Sequence, residues 1–140
     1  MKKKYILICS FILMSAFLQP LWADSIKELN AQKASDVWLS MVDKGRYSES
    51  WQNTSSYFKN AVDENQWEKS LTSVRKPLGK VLSRKAISQN YTKTLPGAPD
   101  GEYVVIQYET SFENKASAIE TVTSSLGKDG IWRVSGYYIK

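Results

Sequence analysis

The sequence predicts an α+β fold in which N-terminal helices pack on a four-stranded antiparallel meander sheet. Three observations carry that prediction. Between residues 25 and 78, apolar side chains recur at intervals of three and four, the period of an amphipathic helix. From residue 80 onward, four segments rich in β-branched and aromatic residues follow one another. The connections between them are short, which forces antiparallel neighbours, because a parallel pair needs a long crossover. Helices and sheet each carry an apolar face, so one must cover the other.

The elements follow in order. Ser25 and Glu28 have the spacing of a capping box, and Ile26, Leu29, Ala34, Val37, Trp38, Met41 and Val42 continue the stripe of a first helix that ends at Gly45. In the next stretch Tyr47, Trp51, Phe58 and Val62 keep helical spacing, and Asn53 to Ser56 breaks it into short pieces. Asp63 and Gln66 form another cap, followed by a stripe of Trp67, Leu71, Val74 and Leu78, which Pro77 and Gly79 stop. The strand segments are KVLSRKAISQNYTKTL, GEYVVIQYETSF, ASAIETVTSSL and IWRVSGYYI. Between the first two lies PGAPDG, whose prolines lack amide donors and whose Asp100-Gly101 is turn chemistry, so it reads as a rigid connector. The Asp-Gly of GKDG favours a tight hairpin before the last strand.

A leader precedes these elements. Lys2, Lys3 and Lys4 are followed by a 14-residue apolar run from Tyr5 to Leu18, then Gln19, Pro20 and the small Ala23. That is the layout of a secretory signal peptide cleaved after Ala23. The run is shorter than the roughly 20 residues of a spanning helix. Cys9 lies inside it, without the small residues that precede a lipidated cysteine. The expectation is a signal peptide over 1–23, a single α+β domain over 24–140, a periplasmic or secreted location, and no membrane span after cleavage.

Cleavage changes the charge. Of 19 lysines and arginines three leave with the leader, so 16 remain against 14 acidic residues, a net of +2 in place of +5. That balance calls for no nucleic-acid partner. The remaining 117 residues suffice for one core and not for two. There is no histidine, and the one cysteine leaves with the leader. Ser-His-Asp and Cys-His catalysis, zinc sites built on these ligands, histidine-held haem and iron–sulfur clusters are therefore excluded. No calcium loop or phosphate-cradling glycine loop occurs, and no cofactor or metal is expected.

Several motifs resemble one family. SRKAI, PGAPDGEYVVIQYETSF, ETVT and GIWRVSGYYIK, with the earlier DKGRYSESW and RKPLG, look like the bacterial family called domain of unknown function 4019. They span nearly the whole mature chain. The order of helices then strands is also similar to the cone-shaped fold of nuclear transport factor 2 and ketosteroid isomerase, which implies a pocket between sheet and helices. Fold alone implies no activity.

The candidate site lies on the sheet face. On the third strand Ala118, Glu120, Val122 and Leu126 share a mainly apolar face, and on the first strand Arg84 shares its face with Leu82 and Ala86. Glu120 is thus a desolvated carboxylate contacting a ligand or acting as a base, or the partner of Arg84 in an ion pair that sets strand register, or a residue near a solvated sheet edge. Trp38, Trp51, Trp67 and Trp132 read as core. Tyr103, Tyr108, Tyr137 and Tyr138 fall on both strand faces, either lining a groove for glycan or peptide or making cross-strand pairs. The weak ligand-binding set is Glu120, Arg84, Tyr108 and Tyr137, with no catalytic residue assigned. Basic residues at 75, 76, 80, 84 and 85 form a cluster that suits an anionic partner or a solvated face.

Three function classes remain. The favoured one is a non-enzymatic exported domain that binds an envelope protein or small ligand. The alternatives are a pocket enzyme of isomerase or dehydratase type using Glu120 with a tyrosine, and a protein-level inhibitor or accessory subunit using an exposed sheet edge. The sequence fixes no oligomeric state.

Overall fold

The computed structural model describes residues 19–140, so the apolar run from Tyr5 to Leu18, on which the expected signal peptide rests, lies outside the described residues. Four helices precede four strands: α1 (Gln19–Asp43), α2 (Tyr47–Gln52), α3 (Ser56–Ala61), α4 (Glu64–Leu78), β1 (Val81–Thr92), β2 (Tyr103–Phe112), β3 (Lys115–Leu126) and β4 (Trp132–Ile139). The sheet order is β1-β2-β3-β4, with every neighbouring pair antiparallel. This is the expected α+β meander. Helix α1 lies across all four strands, and α2 packs on α1 and α4.

Most local signals act where the sequence places them, although Pro77 lies within the last turn of α4 and it is Gly79, at φ 76°, that ends the helix. Gly45, at φ 72°, ends α1, and the Arg46 amide donates back to the Met41 carbonyl at 2.9 Å. The middle stretch breaks at Asn53–Ser55, where Ser55 caps α3 by accepting from the Phe58 amide. Asp63 accepts from the Gln66 amide at 2.8 Å and Gln66 reaches back, a complete capping box for α4.

The Ser25 cap is different. Helix α1 begins upstream, and the Ser25 hydroxyl donates within it to the Leu21 carbonyl at 2.9 Å. Glu28 accepts instead from the Tyr91 amide of β1 at 3.2 Å. Nothing in Ala23 or Asp24 prevents helical backbone, so the cap residue is overrun.

The α1 stripe is also displaced. The buried residues are Ala31, Ser35, Trp38, Leu39 and Val42, whereas Ile26, Leu29 and Val37 are exposed. Small residues decide this. Ala31 and Ser35 let the helix approach the sheet closely enough for the Ser35 hydroxyl to reach Ser124 of β3 at 2.9 Å. In α4 the inward row is Trp67, Leu71 and Arg75, while Val74 faces out.

Strand faces mostly follow the two-residue period. Val104, Ile106, Tyr108, Thr110 and Phe112 of β2, and Ala118, Glu120, Val122 and Ser124 of β3, are buried. Leu82 departs from the expected face. The β1–β2 register shifts between Val81 and Ser83 and again between Ala86 and Ser88, so Leu82 and Ile87 are the extra residues of two bulges and point to solvent.

Between helices and sheet sits an aromatic cluster. Trp67 packs edge-on to Phe58 at 5.1 Å and tilted against Trp38 at 5.9 Å, and Tyr137 meets Trp38 edge-on at 5.3 Å. Both indole N–H groups end on buried Ser50, Trp38 on its carbonyl at 2.8 Å and Trp67 on its hydroxyl at 3.0 Å. These rings and the charged network beside them lie between the helices and the sheet.

Candidate functional site

The sheet face carries a closed network of four charges. Arg84, on β1, donates from Nε to Glu120 Oε1 at 2.7 Å, and its two terminal nitrogens grip the Asp43 carboxylate at 2.7 and 3.0 Å. Arg75, on α4, donates to Asp43 at 2.7 Å and to the Tyr137 hydroxyl at 3.4 Å. Glu120 also accepts from the Thr110 hydroxyl at 2.6 Å and from the Tyr137 hydroxyl. Two guanidiniums therefore face two carboxylates, and the formal charges cancel. Charge-assisted bonds of this kind are the strong ones, and the fork of Arg84 suits a carboxylate in two-point contact.

Burial is graded across the network. The Glu120 side chain is 0% exposed, Arg75 5%, Arg84 15% and Asp43 26%. The Arg75 guanidinium also lies over the Phe112 ring, 5.1 Å from its centroid, and its Nε has no partner. Glu120 has all its contacts inside the protein, with acceptor capacity taken by Arg84, Thr110 and Tyr137.

The expected residues are only partly united. Glu120, Arg84 and Tyr137 converge, and the Arg84–Glu120 ion pair anticipated as the structural alternative is present. Tyr108 lies beside Glu120 in the sheet register, but its hydroxyl donates to Asp36 of α1 at 2.8 Å. The basic cluster splits as well: Arg75 and Arg84 turn inward, while Lys76, Lys80 and Lys85 stay exposed.

Asp43 and Thr110 join the site from outside the expected set, yet each leaves a trace in the sequence. Asp43 sits at the last position of α1, where the helix dipole disfavours an anion, so a compensating cation is called for. Thr110 interrupts an alternating apolar face of β2. Arg75 stands four residues after Leu71 and eight after Trp67, in register with the buried row.

Protonation follows from this geometry. Burial acts against the Asp43 charge, but the Arg84 and Arg75 hydrogen bonds outweigh it and hold the carboxyl below the usual aspartate range. Burial, then the Glu120 charge, pushes the Tyr137 phenol well above its usual range. A depressed carboxyl contributes stability that is present above the unfolded value and lost as pH falls through the native one. A raised phenol contributes stability that is present below the unfolded value and lost as pH rises. The urea midpoint should thus be flat at intermediate pH, fall below about pH 4 and fall again above about pH 10. A midpoint independent of pH across both limits would contradict the network.

Comparison with known proteins follows the fold. One of six matching solved chains, a structure from Catenulispora acidiphila, superposes with a TM-score of 0.56 at 10% identity, covering 85% of this chain and 94% of that chain. At that identity the likeness shows the fold alone. No curated protein matches significantly. The model of the family described as "Protein of unknown function (DUF4019)" matches residues 34–137, a span that holds the entire charged network, and the chain belongs to that family.

Proposed function

We propose that this chain is an exported, non-enzymatic binding or accessory domain of the bacterial cell envelope. The leader supports export, and cleavage after Ala23 is compatible with the helix. It would remove Leu21, the acceptor of Ser25, and leave Ser25 in the first turn, where its side chain suits a cap.

The observation that carries the non-enzymatic reading is the closure of Glu120. A general base must come within hydrogen-bond reach of the proton it takes. Glu120 has no exposed surface and is occupied by three donors. The pocket-enzyme alternative draws on the Tyr137–Glu120 contact, the carboxylate–tyrosine pair it requires, and needs the network to open. The accessory-subunit alternative draws on β1, an edge strand with Leu82 and Ile87 exposed. Its two bulges weigh against simple strand addition.

The test is cross-linking in intact cells, pull-down of the C-terminally tagged protein from the envelope fraction, and intact-mass analysis. The expected result is a chain beginning at Asp24, cross-linked to a discrete envelope component. A chain in that fraction retaining Met1 would refute export by cleavage, and recovery only from the cytoplasm would refute the location.

A further inference from the structure

We propose that the groove between the 95–101 loop, the start of α3 and the β3–β4 hairpin binds an oligosaccharide, with a carboxylate-bearing sugar favoured. The groove is open to solvent along one side, has a volume of about 520 Å³ and is walled by Ser55, Tyr57, Pro99, Leu126, Asp129 and Arg133. That volume falls within the roughly 300–1,000 Å³ of small-ligand clefts.

Its walls are fixed before any ligand arrives. The Tyr57 hydroxyl donates to the Gly97 carbonyl at 2.8 Å, and the Tyr103 hydroxyl to the Pro99 carbonyl at 2.6 Å. Two tyrosines thus pin the proline-rich loop that joins β1 to β2, and the connector also serves as a wall. On the opposite side, Ser125, Ser135 and Ser55 form a hydroxyl chain with contacts of 2.5 and 2.7 Å. A preorganised groove spends little ordering entropy on binding.

The chemistry of the lining matches a sugar. A pyranose offers C–H faces and vicinal hydroxyls that both donate and accept. The Tyr57 ring, 43% exposed, lies with Pro99 and Leu126 as an apolar wall for the C–H face. Asp129 and Arg133 pair in a fork, with contacts of 3.1 and 2.8 Å. Asp129 Oδ1 is filled by Arg133 and by the Ile131 amide at 3.2 Å, so the pair leaves one acceptor site on Oδ2 beside free guanidinium N–H groups, an acceptor and donors side by side for vicinal hydroxyls. Lys128, exposed at the rim, adds a cation for a sugar carboxylate.

Gly127 is the floor. A Cβ there would stand 2.5 Å from Asp129 Oδ1 and 3.1 Å from Arg133 Nη1. The absent side chain is what lets the Asp129–Arg133 pair lie down against the backbone. Gly127→Ala should therefore lift the pair and narrow the groove.

This inference deepens the binding-domain reading by naming its ligand, and its test is independent of export. The purified protein is titrated with chitotetraose and with tetragalacturonate, following backbone amide shifts by NMR. Shifts confined to residues 55–57, 97–101 and 125–133, with tetragalacturonate binding more tightly, are expected. Gly127→Ala and Tyr57→Ala should each weaken binding about tenfold with the circular dichroism unchanged, whereas Tyr57→Phe, which keeps the apolar wall but loses the pin to the Gly97 carbonyl, should weaken it less. Lys128→Gln, a surface change, should remove the preference for tetragalacturonate. Absence of groove shifts with both sugars overturns the proposal, as does a proline-rich peptide that shifts these residues when neither sugar does. Retention of Met1 in cells would sink export while leaving a positive titration intact.

Discussion

Replacing Glu120 by glutamine should lower the stability of this protein by about 3 kcal/mol or more, because it removes one partner of a buried ion pair and leaves the other in place. The substitution keeps the shape of the side chain and changes its charge. Arg84 retains Asp43, but its Nε loses a charged acceptor at 2.7 Å in a site where Glu120 is fully buried. The Thr110 and Tyr137 hydroxyls then face an amide with one oxygen in place of two. The measurement is urea unfolding of Glu120→Gln, Arg84→Leu and the double variant. The double variant should lose much less than the two singles together, since neighbours in one network are not additive. A Glu120→Gln protein as stable as the parent would show that the carboxylate is not held for structure, and would return it to the ligand-contacting set.

Trp67→Ala should cost about 3–5 kcal/mol, the range for an aromatic truncated in a packed core. Trp67 is 6% exposed and touches three rings, Trp38, Phe58 and Tyr137. Its indole N–H also satisfies the hydroxyl of Ser50, which is itself 0% exposed. Truncation opens a cavity and takes away the donor to that hydroxyl, which keeps only its own bond to the Tyr47 carbonyl at 2.6 Å, two costs with separate origins. Trp67→Phe separates them: it keeps most of the packing and loses the hydrogen bond, so it should cost markedly less. Equal losses for the two variants would assign the effect to Ser50 alone. With no cysteine after Cys9, no disulfide backs this core, and the loss should appear in full in the unfolding midpoint.

Both predictions concern residues that the sequence exposes to very different degrees. Trp67 is readable at once: it stands first in a row at helical spacing, behind a capping box that the structure reproduces atom for atom. Glu120 is readable as a polar residue on an apolar strand face, and Arg84 as its partner, since both follow from a two-residue period. Asp43 is harder. It shows only as an anion at the unfavourable end of a helix, and nothing local says that two arginines from elements 32 and 41 residues away converge on it. Arg75 reads as a cation suited to a helix C-terminus until its register with Trp67 and Leu71 is weighed against that.

What the sequence determined by itself is the class and order of the elements: helices first, then an antiparallel meander, with Gly45, Asp63 and Gly79 at their boundaries. These features are local, because helix and strand periods, caps and short connections act over a few residues. What only the tertiary structure decided is which faces meet. Ala31 and Ser35, unremarkable in a hydrophobic count, bring α1 onto the sheet and turn Ile26, Leu29 and Val37 outward. Two bulges in β1 turn Leu82 and Ile87 away while keeping Arg84 inward. The physical reason is the same in both cases. Burial is set by how closely backbones approach and where the register slips, and those depend on contacts between residues far apart in the chain.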